Sequence, residues 1–311
     1  MQVFRELQNI KQFRNSVITI GTFDGVHKGH REIINKIISS AKEVNGESVI
    51  ITFYPHPRNI IQPQQPVYYL TTLEEKLSLL EKLGVDNVIV VPFSREFSEM
   101  EAEDFAEDFL IKKFNPKIIV FGYDHKFGRN RKGDIHLLKQ IAAKDHVQVE
   151  EISEQTINNI TISSTQIRTC LKEGNIADAN ALLGYNYSLA GIVVKGDQIG
   201  RTIGFPTANL HIDDTQKLIP GDGVYVVKIF LKNNGTYHFG LLNIGNRPTF
   251  HKTEKRIETY ILDFDKTIYG EEMQVEFLHF IRKDKKYDSA EMLIEAIGQD
   301  EIEGRKFLAS L

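Results

Sequence analysis

The sequence predicts an α/β protein in which a parallel-sheet domain precedes an antiparallel β-barrel domain with terminal helices. In the first half, apolar runs of strand length alternate with segments of helical periodicity, as in a parallel sheet covered by helices. From about residue 189, β-rich runs separated by glycine, proline and asparagine indicate a small antiparallel barrel or sandwich. We therefore place the domains at residues 1–184 and 185–311, each long enough to bury its own core.

The expected elements of the first domain follow its apolar pattern. An apolar stripe at helical spacing through residues 33–41 ends at Asn45-Gly46, and Thr72 with Glu75 has the spacing of a capping box. Between the helices, short apolar runs have the length of buried strands. We expect strands at 17–20, 48–53, 88–91 and 118–121, and helices through 33–41, 73–83 and 105–110.

The second domain begins after an amphipathic segment at residues 176–183. Asn233-Asn234-Gly235, between two β-rich runs, is a hairpin signal. Residues 288–311 return to helical spacing, so we expect helices packed against the barrel. The expected strands are 191–194, 224–231, 237–243, 258–264 and 273–281.

Composition and charge limit the classes of protein to which this chain can belong. The chain has 311 residues, 41% of them apolar and 26% charged, and its net charge of −4 gives no electrostatic footprint for nucleic acid. No apolar run approaches the roughly 18 residues of a membrane span, and residues 1–14 are too polar for a secretory leader. The single Cys170 excludes an intrachain disulfide. We expect a cytoplasmic enzyme or small-molecule-binding protein without nucleic-acid or membrane partners; the oligomeric state stays open.

The segment from Gly21 to His30, GTFDGVHKGH, predicts a phosphate site. A buried strand turning through glycines into a helix start offers unpaired N–H groups and a partial positive charge to an anion. His27 and His30 are three apart, so both imidazoles can face the same side and donate to phosphate oxygens. Ligands of parallel sheets bind beyond the carboxyl ends of the strands. We therefore expect this turn, residues 52–57 and residues 121–124 to meet at one site.

A second phosphate-type element is Ser163-Ser164-Thr165-Gln166-Ile167-Arg168. Hydroxyl residues before a helix are good N-caps, and taken alone capping is the simpler interpretation. Arg168 is able to bind phosphate oxygens in a bidentate manner. In one domain with the histidine turn, the phosphate interpretation becomes the favoured one.

In the second domain, glycines surround an arginine and precede a polar strand start: Gly196, Gly200, Arg201, Gly204 and Pro206. Such a flexible flap suits phosphates. Thr207 and Asn209 face the same way on an extended strand and offer hard oxygen ligands for Mg²⁺, or they form a solvated strand end. Glu258 is either a general base or an outward-facing strand residue, and the sequence does not separate the two.

In order along the chain, these motifs resemble the bifunctional prokaryotic riboflavin kinase/FAD synthetase family from about residue 15 to the C-terminus. The matching segments are GTFDGVHKGH, TFYPHP, FSREFSEM, FGYDHKFG, ISSTQIR, GDQIGRTIGFPTANL, GVYVV, NIGNRPTF and ETYILDFDKTIYG. The resemblance implies a Rossmann-like nucleotidyltransferase domain followed by a riboflavin kinase barrel. It implies that the barrel phosphorylates riboflavin with ATP, giving FMN and ADP. The first domain then transfers AMP from a second ATP to FMN, giving FAD and pyrophosphate, with Mg²⁺ as the cofactor.

The resemblance also assigns roles to residues. In the first domain His27 and His30 are catalytic, and the ATP-binding residues are Gly21, Phe23, Asp24, Gly25, Asp124, Ser164, Thr165 and Arg168. Its flavin-binding residues are Pro55, His56, Pro57 and Phe127. In the second domain Glu258 is the catalytic base, and the ATP-binding residues are Gly196, Gly200, Arg201, Gly204, Pro206, Thr207 and Asn209. Thr207 and Asn209 also hold Mg²⁺.

Two positions depart from the family pattern. His125 stands where the family usually has Phe, beside the expected flavin pocket, and Thr161 stands where many relatives carry a basic residue. The rival interpretations are an adenylyl- or cytidylyltransferase that uses the first domain alone, a non-catalytic flavin sensor, and a metal site at the two histidines. The barrel motifs count against a transferase that uses the first domain alone. The presence of His27, His30 and Glu258 counts against a non-catalytic sensor. No third metal ligand stands at a suitable spacing from the two histidines, which counts against a metal site.

Overall fold

The chain folds as two compact units, Met1–Ser164 and Thr165–Leu311. The structure is a computed structural model that describes residues 1–8, 10–122, 125–152, 162–196, 200, 204–248 and 253–311. The division between the units falls before the domain boundary that we predicted after residue 184. That boundary stays a prediction.

A six-stranded parallel sheet organises the first unit, with strand order β1-β4-β3-β2-β5-β6. Its strands are β1 Gln2–Phe4, β2 Val17–Ile20, β3 Ser48–Tyr54, β4 Asn87–Pro92, β5 Ile118–Gly122 and β6 Gln148–Ile152. The parallel sheet predicted for this half is confirmed. The sequence pattern missed β1 and β6, because these edge strands are short or carry charged residues instead of an apolar run.

Helices cover both faces of this sheet. They are α1 Lys28–Glu43, α2 Pro57–Ile61, α3 Leu73–Lys82, α4 Arg95–Ser98, α5 Ala102–Asp104, which continues as the π-helix Phe105–Lys112, and α6 Ile135–Ala142. Successive strand residues point to opposite faces, so Val17 belongs to one buried cluster and Ile18 to the other. The cluster containing Val17 packs on α1 and α3, and the cluster containing Ile18 packs on the π-helix and α6.

The second unit contains a closed antiparallel barrel, with strand order β10-β11-β8-β7-β12-β9. Its strands are β7 Ser188–Val194, β8 Thr207–His211, β9 Gly223–Leu231, β10 Thr236–Pro248, β11 Thr253–Ile261 and β12 Glu272–Arg282. The predicted barrel is confirmed. The strand expected to reach residue 264 instead ends at Ile261, and Asp263 adopts a φ of 55° that a strand does not allow.

Helices accompany the barrel. They are α7 Ser164–Glu173, α8 Ile176–Leu183 and α9 Ala290–Leu308. The C-terminal segment, expected to contain more than one helix, forms the single helix α9, capped by the Ser289 hydroxyl, which accepts from the Met292 N–H at 3.3 Å.

Candidate active sites

A cleft of about 870 Å³ opens in the first unit. Residues that follow β2, β3 and β5 line it, among them Phe23, His56 and His125. The predicted convergence of the glycine turn, residues 52–57 and residues 121–124 is therefore confirmed for the residues described, with Gly122 as the lining residue of the last segment. The cause is the parallel sheet, which brings the carboxyl ends of its strands to one edge.

The turn between β2 and α1 is held in an unusual backbone conformation. Phe23 and Val26 have φ values of 46° and 38°, and Gly25 has a φ of 83°. The buried Asp24 carboxylate accepts hydrogen bonds from the Leu70 N–H at 3.0 Å and the Thr71 N–H at 3.1 Å. The Gly25 N–H donates to the Thr71 hydroxyl at 3.1 Å. Asp24 and Gly25 thus brace the turn from behind, whereas Gly21 and Phe23 line the cleft itself.

His27 and His30 stack in this cleft, with ring centroids 3.6 Å apart and an angle of 17° between planes. His27 caps α1: its Nδ1 accepts from the His30 N–H at 3.3 Å. Because Nδ1 is the acceptor, the neutral His27 ring carries its proton on Nε2 and is a donor there. The His30 Nδ1 is buried and has no hydrogen-bond partner within the described residues.

The His30 imidazole is kept neutral. Burial holds its pKa well below the usual value, and the charges of His27 and Lys76 act in the same direction. The neutral His30 ring, stacked on His27 at the start of a helix, is a directional hydrogen-bonding group for an anion rather than a cation.

An aromatic wall forms another side of the same cleft. Phe53 and Phe93 have ring centroids 5.3 Å apart, and Phe105 stacks with Phe127 at 5.3 Å. Phe97 contacts both Phe53 and Phe105. Such a wall suits a large flat ring system. Sequence reasoning found Phe127 but missed Phe53, Phe93 and Phe97; three phenylalanines near two strand ends were the available signal.

The remaining predicted residues of the first domain differ in their placement. His56, Pro57 and Ser164 line the cleft, while Pro55 is not among its described lining residues. The Ser164 hydroxyl donates to the Asp24 carbonyl at 3.0 Å. His125 lines the cleft with its ring centroid 4.6 Å from that of Phe121. Thr165 and Arg168 belong to α7 in the second unit, and Asp124 and Thr161 lie outside the described residues.

A second cleft, of about 620 Å³, opens in the barrel unit. Three lining residues sit side by side on neighbouring strands: Asn209 on β8 pairs with Glu258 on β11, and Glu258 pairs with Asn243 on β10. Thr207 pairs with Tyr260 in the same register. Directly opposed residues of antiparallel strands have Cβ atoms about 4.5–5.5 Å apart, so the register forms a polar row across the cleft wall.

Glu258 lies on the outer face of the barrel, opposite the buried Ile257 and Thr259, as strand alternation predicts, and on that face it lines the cleft. Its role as a general base stays a prediction. One of its carboxylate oxygens lies 3.5 Å from the Arg256 guanidinium, and its side chain is 31% exposed. Asn243 beside it has a buried amide oxygen without a hydrogen-bond partner in the described ranges. Sequence reasoning missed Asn243 and Arg256. Only the strand register could have found Asn243, because β11 and β10 place it opposite Glu258.

The glycines of the expected flap differ in placement. Gly200 lines the cleft together with Thr207 and Asn209. Gly196 leaves room for Asn209, because a Cβ at that position would lie 2.3 Å from the Asn209 amide nitrogen. Gly204 and the exposed Pro206 are not among the described lining residues, and Arg201 lies outside the described residues.

Charged groups also line the barrel cleft. The Arg282 guanidinium forms a bidentate ion pair with the buried Asp300 carboxylate, both bonds being 2.7 Å, and so ties β12 to α9. Burial raises the pKa of the Asp284 carboxyl, and the nearby Asp222 adds to the effect. No group of three or more His, Cys, Asp or Glu side chains suited to a metal ion occurs in the described part of the chain.

The fold and the two clefts define a transferase with one nucleotide-type site in an α/β unit and another in a β-barrel unit. A family model described as FAD synthetase matches residues 9–166, and one described as riboflavin kinase matches residues 183–308. A curated relative from Listeria monocytogenes, a bifunctional riboflavin kinase/FMN adenylyltransferase, is 39% identical, covering 96% of this chain and 94% of its own. The relative of the same name from Escherichia coli strain K12 is 34% identical, covering 99% and 98%. This chain belongs to the bifunctional riboflavin kinase/FMN adenylyltransferase family.

A solved structure has the same fold along nearly the whole chain. It is described as a macrolide-efflux protein from Streptococcus pneumoniae, is 33% identical, and covers 97% of this chain and 98% of its own with a TM-score of 0.87. In the portion of this chain that the structure describes, no helix is both long and apolar enough to cross a bilayer.

Proposed function

We propose that this chain converts riboflavin to FMN in the barrel unit and FMN to FAD in the α/β unit, using one ATP at each step. The observation that carries the proposal is the pair of separate clefts, each with its own phosphate-binding chemistry. The first combines stacked imidazoles at a helix start with an aromatic wall. The second combines a carboxylate with hydroxyl and amide groups on neighbouring strands.

In the FAD synthetase domain, an FMN phosphate oxygen attacks the α-phosphorus of ATP and pyrophosphate leaves. The nucleophile is already an anion, so this reaction needs positioning and charge stabilisation rather than a strong base. His27 donates through its Nε2 proton, and His30 adds a neutral imidazole where negative charge develops. Phe127 and the aromatic wall bind the isoalloxazine ring by stacking. Ser164, which lines the cleft, binds ATP. The family resemblance adds Asp124, Thr165 and Arg168 as ATP-binding residues.

In the riboflavin kinase domain, the ribityl 5′-hydroxyl attacks the γ-phosphorus of ATP and ADP leaves. A neutral hydroxyl is a weak nucleophile, so a base beside it speeds the attack. Glu258 accepts the hydroxyl proton as the new O–P bond forms. Gly200 and Arg201 bind the phosphates, and Asn209 orients them.

Thr207 and Asn209 suit Mg²⁺ in this domain. Both line the cleft and offer oxygen donors from one face of β8, and the missing side chain of Gly196 allows the Asn209 amide to pack closely against the backbone there. Two protein ligands are enough, because Mg²⁺ in phosphoryl-transfer sites usually takes its other ligands from phosphates and water. When bound, the ion offsets negative charge on the transferring phosphoryl oxygens.

The proposal extends to domain limits and location. We place the domains at 1–184 and 185–311 and the protein in the cytoplasm, supported by its single cysteine and by the two family-model matches.

One time course tests the proposal. The full-length chain is incubated with riboflavin, ATP and Mg²⁺, and the flavins are separated by chromatography. The expected result is FMN first and FAD later. One ADP should be released for each riboflavin phosphorylated and one pyrophosphate for each FAD formed. Absence of FMN contradicts the kinase assignment, and failure to convert added FMN contradicts the adenylyltransferase assignment.

A further inference from the structure

Lys76 carries a buried charge that the proposed chemistry does not use. It lies in the first turns of α3, just after the N-cap residue Thr72, and is 6% exposed. Its helix neighbours Leu73, Leu77 and Leu80 belong to the apolar core. A lysine is rarely buried in such surroundings unless its ammonium group is matched, because removing the charge from water is costly.

The Lys76 ammonium group is directed at the underside of the glycine turn. It donates to the Thr22 carbonyl at 2.8 Å and to the Thr52 hydroxyl at 3.4 Å. The Thr52 hydroxyl in turn donates to the same Thr22 carbonyl at 3.1 Å. Thr22 lines the cleft and directly precedes Phe23, where the backbone enters its positive-φ conformation. Lys76 therefore fixes the point at which the chain leaves β2 for the phosphate turn.

The charge of Lys76 also reaches the two imidazoles. Burial lowers the pKa of Lys76 to about 8, against the attraction of Asp24, so the group is mostly protonated at neutral pH. The titratable groups that face it are Asp24 of the turn and His30 of α1, on which His27 is stacked. Lys76 contributes to keeping His30 neutral. Because His30 is neutral, positive charge from another group is needed beside it when a triphosphate binds.

Resting on the proposed FMN adenylyltransferase activity, we propose that Lys76 is a positioning residue for adenylyl transfer. Its ammonium group holds the Thr22 carbonyl and supplies positive charge beneath the triphosphate, while the imidazoles of His27 and His30 act as hydrogen-bond donors. Lys76 does not line the cleft. It acts by holding the glycine turn in place and through the electrostatic potential of its ammonium group. The alternative is a structural role, in which Lys76 only balances the buried Asp24 charge.

The test compares Lys76→Met and Lys76→Arg with Lys82→Met, a matched control at an exposed position of the same helix. FAD formation from FMN and ATP is measured between pH 6 and 9.5 with the full-length chain. The riboflavin kinase rate of each preparation reports on the other domain. We expect Lys76→Met to lower kcat/KM for ATP in FAD formation by about tenfold to a hundredfold, with an unchanged kinase rate.

The pH profile separates positioning from structure. In the wild type, kcat/KM for ATP should fall as the pH rises through about 8, because the ammonium group loses its proton there. Bound triphosphate favours the charged form, so the fall in kcat should come at higher pH. Lys76→Arg keeps its charge and should retain activity above that pH. Lys76→Met should lack this fall altogether.

Thermal unfolding completes the test. Lys76→Met leaves the buried Asp24 charge without its facing ammonium group and removes the hydrogen bond to the Thr22 carbonyl, so the FAD synthetase domain should lose stability. The rates are therefore measured well below the unfolding temperature and per folded molecule, where a purely structural role predicts the wild-type rate. The inference is overturned if Lys76→Met keeps its FAD-forming rate within twofold and retains the wild-type pH profile. It is also overturned if activity falls only in proportion to unfolding. A wild type that forms no FAD would instead overturn the proposed function.

Discussion

The two clefts are assembled from the sequence in different ways. In the FAD synthetase domain, Gly21, His27 and His30 come from one ten-residue segment at the end of a parallel strand. In the riboflavin kinase domain, Asn209, Glu258 and Asn243 come from three strands and meet only through antiparallel register. A local motif therefore predicts the first cleft, while the pairing of distant strands determines the second. Separate construction also means that a change in one cleft should leave the other working.

Replacing the proposed kinase base, Glu258, should have the largest effect on a reaction rate. Glu258→Gln keeps the shape and strand pairing but removes proton acceptance, so FMN formation should fall by about 10²–10⁴-fold. FAD formation from supplied FMN should remain within twofold of the wild type. Flavin chromatography measures both rates. Glu272→Gln, which replaces an exposed carboxylate of β12, is the matched control. If both activities of Glu258→Gln fell together, the separation of the two clefts would be wrong.

The converse change is His30→Ala. It removes one of the two stacked imidazoles, and losing a preorganised donor should lower kcat for FAD formation by about 10²–10³-fold. Riboflavin phosphorylation should be unaffected. His136→Ala, at an exposed position of α6, controls for loss of an imidazole in the same unit. A kinase rate that dropped with His30→Ala would show that the clefts are coupled.

A third variant tests the hydrogen bonds that hold the histidine turn of the first cleft in place. Asp24→Asn keeps one oxygen acceptor for the Leu70 and Thr71 N–H groups but loses the charge that faces Lys76. The free energy of unfolding of the FAD synthetase domain should fall by about 1–3 kcal/mol. Denaturant unfolding followed domain by domain measures it, with the exposed Asp145→Asn as the control. An unchanged midpoint would mean that the Asp24 carboxylate does not support the turn.

Apolar runs and helical periodicity predicted the sheet, its main helices and the barrel, because these signals reflect burial that both domains need. They missed β1 and β6, whose strand identity depends on pairing with β4 and β5 rather than on their own residues. The end of β11 was overestimated because Leu262 and Phe264 continue the apolar pattern past the turn at Asp263. Tertiary context therefore decided the elements whose own sequence signal was weak.

In the candidate sites, too, local sequence patterns did not reveal contacts between distant segments. Motif spacing predicted that His27 and His30 face one site, and the family resemblance added Phe127; all three line the same cleft. Spacing said nothing of Lys76, because its approach to Thr22 joins a helix to a turn more than fifty residues away. Asn243 was missed for an analogous reason, since only strand register brings it beside Glu258. Motifs capture residues that one segment presents, whereas long-range contacts need the fold.

The variant with the smallest expected effect tests whether the barrel cleft needs the close approach of Gly196 to Asn209. In Gly196→Ala, the new Cβ would lie 2.3 Å from the Asn209 amide nitrogen, so that side chain must turn away from its place beside Glu258. We expect KM for ATP in the kinase reaction to rise about fivefold to tenfold, a loss of about 1–1.4 kcal/mol of binding. Gly298→Ala in α9, with no atom within 4 Å of its Cβ, is the matched control. FAD formation from supplied FMN should stay unchanged in both variants. An unaltered KM in Gly196→Ala would mean that the amide of Asn209 does not contact the nucleotide, and the kinase site would then depend on Thr207 and Glu258 instead.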